Sequence, residues 1–229
     1  MKKEVIVISL GGSLIIPNDI DVNYLKKFKI IIKKHSKSYK FVIVTGGGSI
    51  ARKYISALRE INLNEYIQGL AGISATRMNA RFMSYFFGFE PEYGASHSLK
   101  EIKQQLNKKG LVFSGALSYK KGQTTDSEAA LLAKYFKSKF INLTNVNGLY
   151  NKDPRKYKDA KFTPKISWKE FHKIANLMSF KPGQHFILDQ KSSKIIMKYK
   201  IPTYIIGKNT NELDNLLKKD KFKGTIIEG

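Results

Sequence analysis

A chain of 229 residues that is 42% hydrophobic and holds no cysteine can bury a full core, and it excludes disulfides, zinc–thiolate centres and cysteine nucleophiles. Its 41 basic against 18 acidic residues leave a net charge of +23, but arginine stands only at 52, 59, 77, 81 and 155 and the lysines are spread along the chain. That pattern reads as a solvated surface that draws in small anions, not as a dedicated reader of nucleic acid.

Taken in order, residues 5–10 form an apolar run that predicts a strand buried on both faces, and it ends in Gly11-Gly12-Ser13. Beyond Pro17 a helix is expected from about residue 21 to 37, with Leu25, Phe28, Ile31 and Ile32 inward. Residues 41–44 predict a second buried strand. The triplet Gly46-Gly47-Gly48 follows, and Ser49 is expected to cap a helix reaching Glu60. A long helix over 64–87 ends in the aromatic-rich stretch 82–87. Those rings, with Phe89, are too many for one helix to bury, so a homo-oligomer interface is expected there. Ser98 and Glu101 form a capping box for a helix to about Asn107. Residues 111–113 predict a strand running into a polar loop, 114–123. A second capping box, Thr125 to Glu128, opens a helix to about Lys137. Residues 140–143 predict a fourth strand, Asn147-Gly148 a tight turn, and Asp153-Pro154 a break. Ser167 caps a helix to about Leu177. The rest alternates: helix 186–199, strand 202–206, helix 211–217, closing strand 224–227.

Alternating strands and helices define an α/β protein with a mostly parallel sheet. One unit over 1–229 is expected, with the charged, proline-containing segment 147–165 as the seam between two lobes. Two strands ending in glycine clusters place backbone N–H groups and helix dipoles at the carboxyl ends of a parallel sheet, which suits a phosphorylated ligand. Neither G-x-x-x-x-G-K-[ST] nor G-x-G-x-x-G is present, and a tight structural turn accounts for either cluster equally well. His35, His97, His172 and His185 lack metal-ligand spacing, so no metal site is expected. No apolar run reaches the roughly 20 residues that span a bilayer. The amino terminus enters a strand without a signal-peptide pattern, and a cytoplasmic protein is expected.

The ordered motifs ISLGGS (8–13), VTGGGSIARKY (44–54), GISATRMNA (72–80), GQTTDSEAALLA (122–133), LTNVNGLYNKDP (143–154) and GTIIE (224–228) resemble the amino acid kinase family, and within it the archaeal-type uridylate kinases. The resemblance implies a three-layer sandwich of helices around the sheet, with an acceptor lobe over 1–145 and an ATP lobe over 146–229. It implies transfer of the γ-phosphoryl of ATP, carried with Mg2+, to the phosphate of UMP by a homo-oligomer, usually a hexamer. Carried over residue by residue, Gly11, Gly12, Ser13, Gly48 and Arg52 face the ATP phosphates, and Thr144, Tyr150 and Asp153 hold its nucleoside. Gly47, Gly122, Gln123, Thr124 and Thr125 line UMP. Arg52 and Asp126 are the candidate catalytic groups.

The chain departs from the family pattern at several positions. Ala116 replaces the second acceptor glycine, and the loop over 118–122 is longer than the usual Pro-Gly turn. Gly69 stands where a sugar-binding aspartate is common, Asn147 replaces the Asp of the usual turn, and Ser9 replaces a lysine. A kinase for another phosphorylated acceptor and a nucleotide-binding regulator are the alternatives these departures leave open.

Overall fold

The computed structural model describes residues 3–90, 95–177 and 188–229. Its central sheet has seven strands in the order β3 (Leu111–Ser114), β2 (Tyr39–Thr45), β1 (Glu4–Leu10), β4 (Lys139–Leu143), β8 (Thr203–Ile206), β9 (Gly224–Ile227) and β7 (Lys165–Ile166). Neighbours pair in parallel except β8 with β9. The α/β, mostly parallel expectation therefore holds, and the sheet runs unbroken through both halves of the chain. The two-residue strands β5 (Leu149–Tyr150) and β6 (Phe162–Thr163) make a separate antiparallel pair within the 147–165 segment.

Side chains alternate across the sheet, so each strand feeds two cores. Ile6, Ile8 and Leu10 join Phe41, Ile43, Ile141 and Leu143 on one face, under α2 (Val22–His35), α4 (Glu65–Phe86) and α9 (Thr210–Lys218). Val7, Val42, Val44 and Phe140 occupy the other, under α5 (Leu99–Lys109), α6 (Thr125–Phe136), α7 (Trp168–Leu177) and α8 (Gln190–Tyr199). The result is the expected three-layer sandwich. The predicted start of the helix over 186–199 lies outside the described residues, and α8 begins after Asp189, whose side chain accepts from the N–H of Ser192.

The apolar tail of α4 behaves differently from expectation. Phe87 is buried, 4.9 Å centroid to centroid from Phe113, and Phe82, Phe86 and Phe89 pack against the same core. Of the five rings only Tyr85 is exposed. The sheet and α2 absorb what a lone helix could not, so the rings give no reason of their own for an interface.

A polar clasp ties α2 to α9. Asp214 accepts from Lys34 at 2.8 Å, His35 at 2.7 Å and Lys218 at 2.9 Å. Burial alone would raise its carboxyl, but the three hydrogen bonds together hold it well below the usual carboxylate range. Asp214→Asn is expected to cost about 1–3 kcal/mol, read as a lower midpoint in thermal melts. Because the folded value lies below the unfolded one, this stabilisation is present above about pH 4 and is lost as the pH falls through the folded value. The gap between wild type and variant should therefore close in acid.

Register brings three strand ends level: Leu10 pairs with both Thr45 and Leu143. The chain leaves β1 outward through β2 and β3, then returns to β4 on β1's other side. The crevice between β1 and β4 is therefore the topological switch point, where open α/β sheets bind their ligands.

Candidate active site

Two glycine turns meet above the switch point. Gly11 donates to Leu143 O at 3.0 Å and Gly46 to Leu10 O at 2.9 Å, which locks each turn to a neighbouring strand end. The short helix α1 (Gly12–Ile15) and α3 (Gly48–Glu60) start from these turns, and they touch backbone to backbone: a Cβ on Gly12 would lie 2.0 Å from Gly48 N. Close packing thus explains glycine here without any ligand. The second turn is also held from α4, where Asn79 Nδ2 donates to Gly46 O at 2.7 Å and Thr45 Oγ1 to Thr76 O at 2.9 Å.

The expected cap at Ser49 is overturned. The N-cap of α3 is Gly47, without a side-chain cap bond, while Ser49 is buried and donates to Asn18 O at 3.2 Å. Arg52 is exposed on the next turn, and its guanidinium donates to Pro17 O at 3.2 Å.

The first turn of α6 carries most of the site's polarity. Its N-cap is Thr124, not Thr125: Thr124 Oγ1 accepts from Ser127 N, and Ser127 Oγ lies 3.0 Å from Thr124 N, closing the box one residue earlier than expected. Thr124 also donates to the Asp189 carboxylate. Asp126 accepts from Ser9 Oγ at 2.6 Å and Asn142 Nδ2 at 3.0 Å. Ser9 therefore does a specific job: its hydroxyl orients the carboxylate without neutralising it. Burial among these neighbours, with the Asp189 charge nearby, pushes the Asp126 carboxyl up to about 7.

A cavity of about 190 Å³ opens at the switch point. Gly11 and Asp126 line it together with Thr144, Tyr150 and Asp153, so three predicted nucleoside-holding residues and one phosphate-facing glycine converge. Asp153 is engaged by Arg155, which donates to both its oxygens at 2.9 and 2.8 Å. That pairing, strongest among its contacts, holds the Asp153 carboxyl at about 2.

A second, wider cavity of about 760 Å³ lies beside the start of α6. Gly122, Gln123, Thr124 and Thr125 line it at the positive pole of α6. Ile55, Gly69, Gly72, Ile73 and Tyr119 line it as well, beside the polar Glu65 and Gln68, and Arg59, Lys120 and Lys121 add positive charge. Gly12, Ser13, Gly47, Gly48 and Arg52 are not among the residues lining either cavity. Gly47 nevertheless lies against the α4 segment that does, since a Cβ there would sit 3.6 Å from Gly72 O.

Several residues take supporting roles that the sequence reading did not assign them. Arg77 donates to Ala116 O at 3.0 Å and Leu117 O at 2.5 Å, while Thr76 Oγ1 accepts from Ala116 N at 3.0 Å. Buried Glu128 accepts from Gln123 Nε2 at 2.7 Å and from the Leu117 N–H. Together they anchor the lengthened loop at both ends. Burial raises the Glu128 carboxyl.

An open, mostly parallel sheet with a cavity at its switch point, and a second one beside an adjoining helix N-terminus, is the architecture of the α/β proteins that bind ligands at strand ends. The amino acid kinase family model matches residues 4–207. Uridylate kinase of Thermoplasma volcanium is 37% identical over 227 residues, with 98% of each chain covered. Uridylate kinase of Thermococcus kodakarensis is 33% identical over 225 residues, 97% of this chain and 99% of that one. The crystal structure of uridylate kinase from Archaeoglobus fulgidus superposes with a TM-score of 0.83 at 30% identity, covering 97% of this chain and 99% of the other. The chain belongs to the amino acid kinase family.

Proposed function

We propose that the protein is an ATP-dependent UMP kinase, moving the γ-phosphoryl of ATP onto the phosphate of UMP to give UDP and ADP. One observation carries this reading: two cavities are lined by consecutive residues of one helix start, Asp126 on the smaller and Thr125 on the larger. Whole-chain similarity to uridylate kinases supports UMP as the acceptor. Phosphoryl transfer asks for positioned donors and charge neutralisation more than for a nucleophilic side chain, and the site offers those.

In this reading ATP occupies the smaller cavity, its nucleoside against Thr144, Tyr150 and Asp153. Its phosphates face Gly11, Gly12, Ser13 and Gly48, and Arg52 leaves the Pro17 carbonyl to reach them. UMP occupies the larger cavity beside Gly47, its phosphate at Gly122, Gln123, Thr124 and Thr125. Asp126 stands at the junction. Among the described residues no cluster of three or more acidic or histidine side chains forms a protein cage for a metal. A single carboxylate at Asp126 still fits Mg2+, which is typically held by one or two carboxylates plus substrate phosphates. Bound with ATP, the ion supplies charge neutralisation on the phosphates. No helix among the described residues is long and apolar enough to cross a membrane.

The test is ADP release from Mg·ATP with UMP, CMP, AMP, GMP and isopentenyl phosphate, beside a salt-dependent RNA titration. UMP should give the highest kcat/KM, with no tight RNA binding. A different preferred acceptor would overturn the UMP assignment while keeping the family chemistry. No turnover with any acceptor would favour a nucleotide-binding regulator.

A further inference from the structure

The α4 side of the larger cavity has a feature that the transfer chemistry does not require. Gly69 sits in the interior of α4, where glycine is a poorer helix former than alanine. Space explains its presence. A Cβ at position 69 would lie 2.3 Å from Cε2 and 2.8 Å from Cδ2 of Tyr119, so the ring already occupies the volume a side chain would need. Tyr119 comes from the lengthened loop between β3 and α6. That loop is held by Arg77 at Ala116 and Leu117, by the Gln123 N–H on Lys120 O at 2.9 Å, and by Lys191 on Lys121 O. Tyr66 meets Tyr119 edge-on at 4.9 Å, one helical turn before Gly69, and braces the ring from outside. The two departures from the family pattern are therefore one device: the longer loop supplies a ring, and glycine at 69 gives it a seat.

Resting on the reading of this cavity as the acceptor's, we infer that Tyr119, seated on Gly69, is the wall against which the nucleoside half of the acceptor monophosphate packs, and so sets acceptor affinity and selectivity. The start of α6 fixes the orientation. A dianionic phosphate belongs at the α6 pole with Gly122 to Thr125, which leaves the flat, weakly polar nucleoside facing Ile73, Gly72 and the Tyr119 ring. Nucleobase stacking on an aromatic side chain is sequence-tolerant and strong enough to stand in for a hydrogen bond to the sugar.

A double-mutant cycle tests the pair in the full-length protein, with KM for UMP, KM for ATP and the thermal midpoint as readouts. Tyr119→Ala should raise KM for UMP about tenfold and leave KM for ATP unchanged. Tyr119→Phe should stay within about threefold of wild type, because the ring and not the hydroxyl makes the wall. Gly69→Ala should reproduce the loss by unseating the ring. In the Tyr119→Ala background, however, Gly69→Ala should cause no further loss of UMP affinity and should raise the melting midpoint by about 2–4 °C, the gain of an unobstructed helix alanine. A purely structural role for Tyr119 would lower the midpoint without moving KM for UMP selectively. Additive effects of the two substitutions, or a Tyr119→Ala enzyme with wild-type KM for UMP, would overturn the proposal while leaving the kinase reading intact. A wild-type protein that neither binds nor phosphorylates UMP would overturn both.

Discussion

Asp126→Asn is expected to abolish most of the activity while making the resting protein more stable at alkaline pH. The substitution is nearly isosteric, and Oδ1, which accepts from Ser9 and Asn142, survives as an amide oxygen. Only the charge is lost. A preorganised electrostatic group at a transfer site is worth about 10²–10³ in kcat, and the carboxylate is also the protein's candidate ligand for Mg·ATP. KM for UMP should change little.

The pH dependence is the sharper readout. Burial pushes the Asp126 carboxyl up to about 7, above its unfolded value near 4. The folded state therefore holds this proton where the unfolded state has released it. Its stabilisation is complete below about pH 4 and is lost as the pH rises through about 7. The variant lacks that slope and should be more stable than wild type by on the order of 2 kcal/mol above pH 8. That is less than the full shift implies, because the side chain lines a cavity open to water. Wild-type kcat/KM for ATP should rise with pH through about 7 as the carboxylate forms, and the variant should show no such limb. A variant retaining activity within about threefold of wild type would remove Asp126 from the chemistry.

Much of the frame is legible in the sequence because its strands are buried on both faces. Residues 5–10 and 41–44 are nearly all β-branched or aromatic and need no partner to be read. The strands that escape reading, β5 to β7, are two residues each and too short to show a period. Helix starts differ from expectation by one or two residues for a local reason. Thr124 and Thr125 are equivalent on paper, and Ser127 rather than Glu128 closes the box. Glu128 is then free to turn inward and hold the loop. At Ser49, the neighbouring turn offers the hydroxyl the Asn18 carbonyl, and glycine takes the cap position. Thr144, Tyr150 and Asp153, proposed to hold the ATP nucleoside, are reached through motif resemblance and line one cavity. The roles of Tyr119, Arg77 and Glu128 are not, because they depend on contacts 39 or more residues away for Arg77 and on a loop with no regular pattern.

Gly12→Ala is the substitution with the largest expected structural effect, and it separates packing from ligand binding at the glycine turns. The added methyl would stand 2.0 Å from Gly48 N and 2.7 Å from Gly46 C. These are backbone atoms in a turn that is itself fixed by the Leu10 carbonyl and by Asn79, so no flexible side-chain end can yield. Overpacking of this kind costs about 1–3 kcal/mol or more, which for a chain of this size lowers the midpoint by about 2–4 °C per kcal/mol. Relief requires the first turn to lift away from the second, and that would carry Gly11 off Leu143 and distort the donor cavity at its floor. Turnover should therefore fall together with stability, and KM for ATP should rise more than KM for UMP. Gly88→Ala is the control. Gly88 has φ +84° and nothing within 4 Å of the point where an added methyl would stand. Alanine there meets backbone strain of about 1–2 kcal/mol but no neighbour, and it sits far along the chain from either glycine turn. It should lose stability without losing kinetics. If Gly12→Ala behaves as Gly88→Ala does, with a lower midpoint and unchanged KM for ATP, the first turn is scaffold alone and the ATP phosphates are held elsewhere.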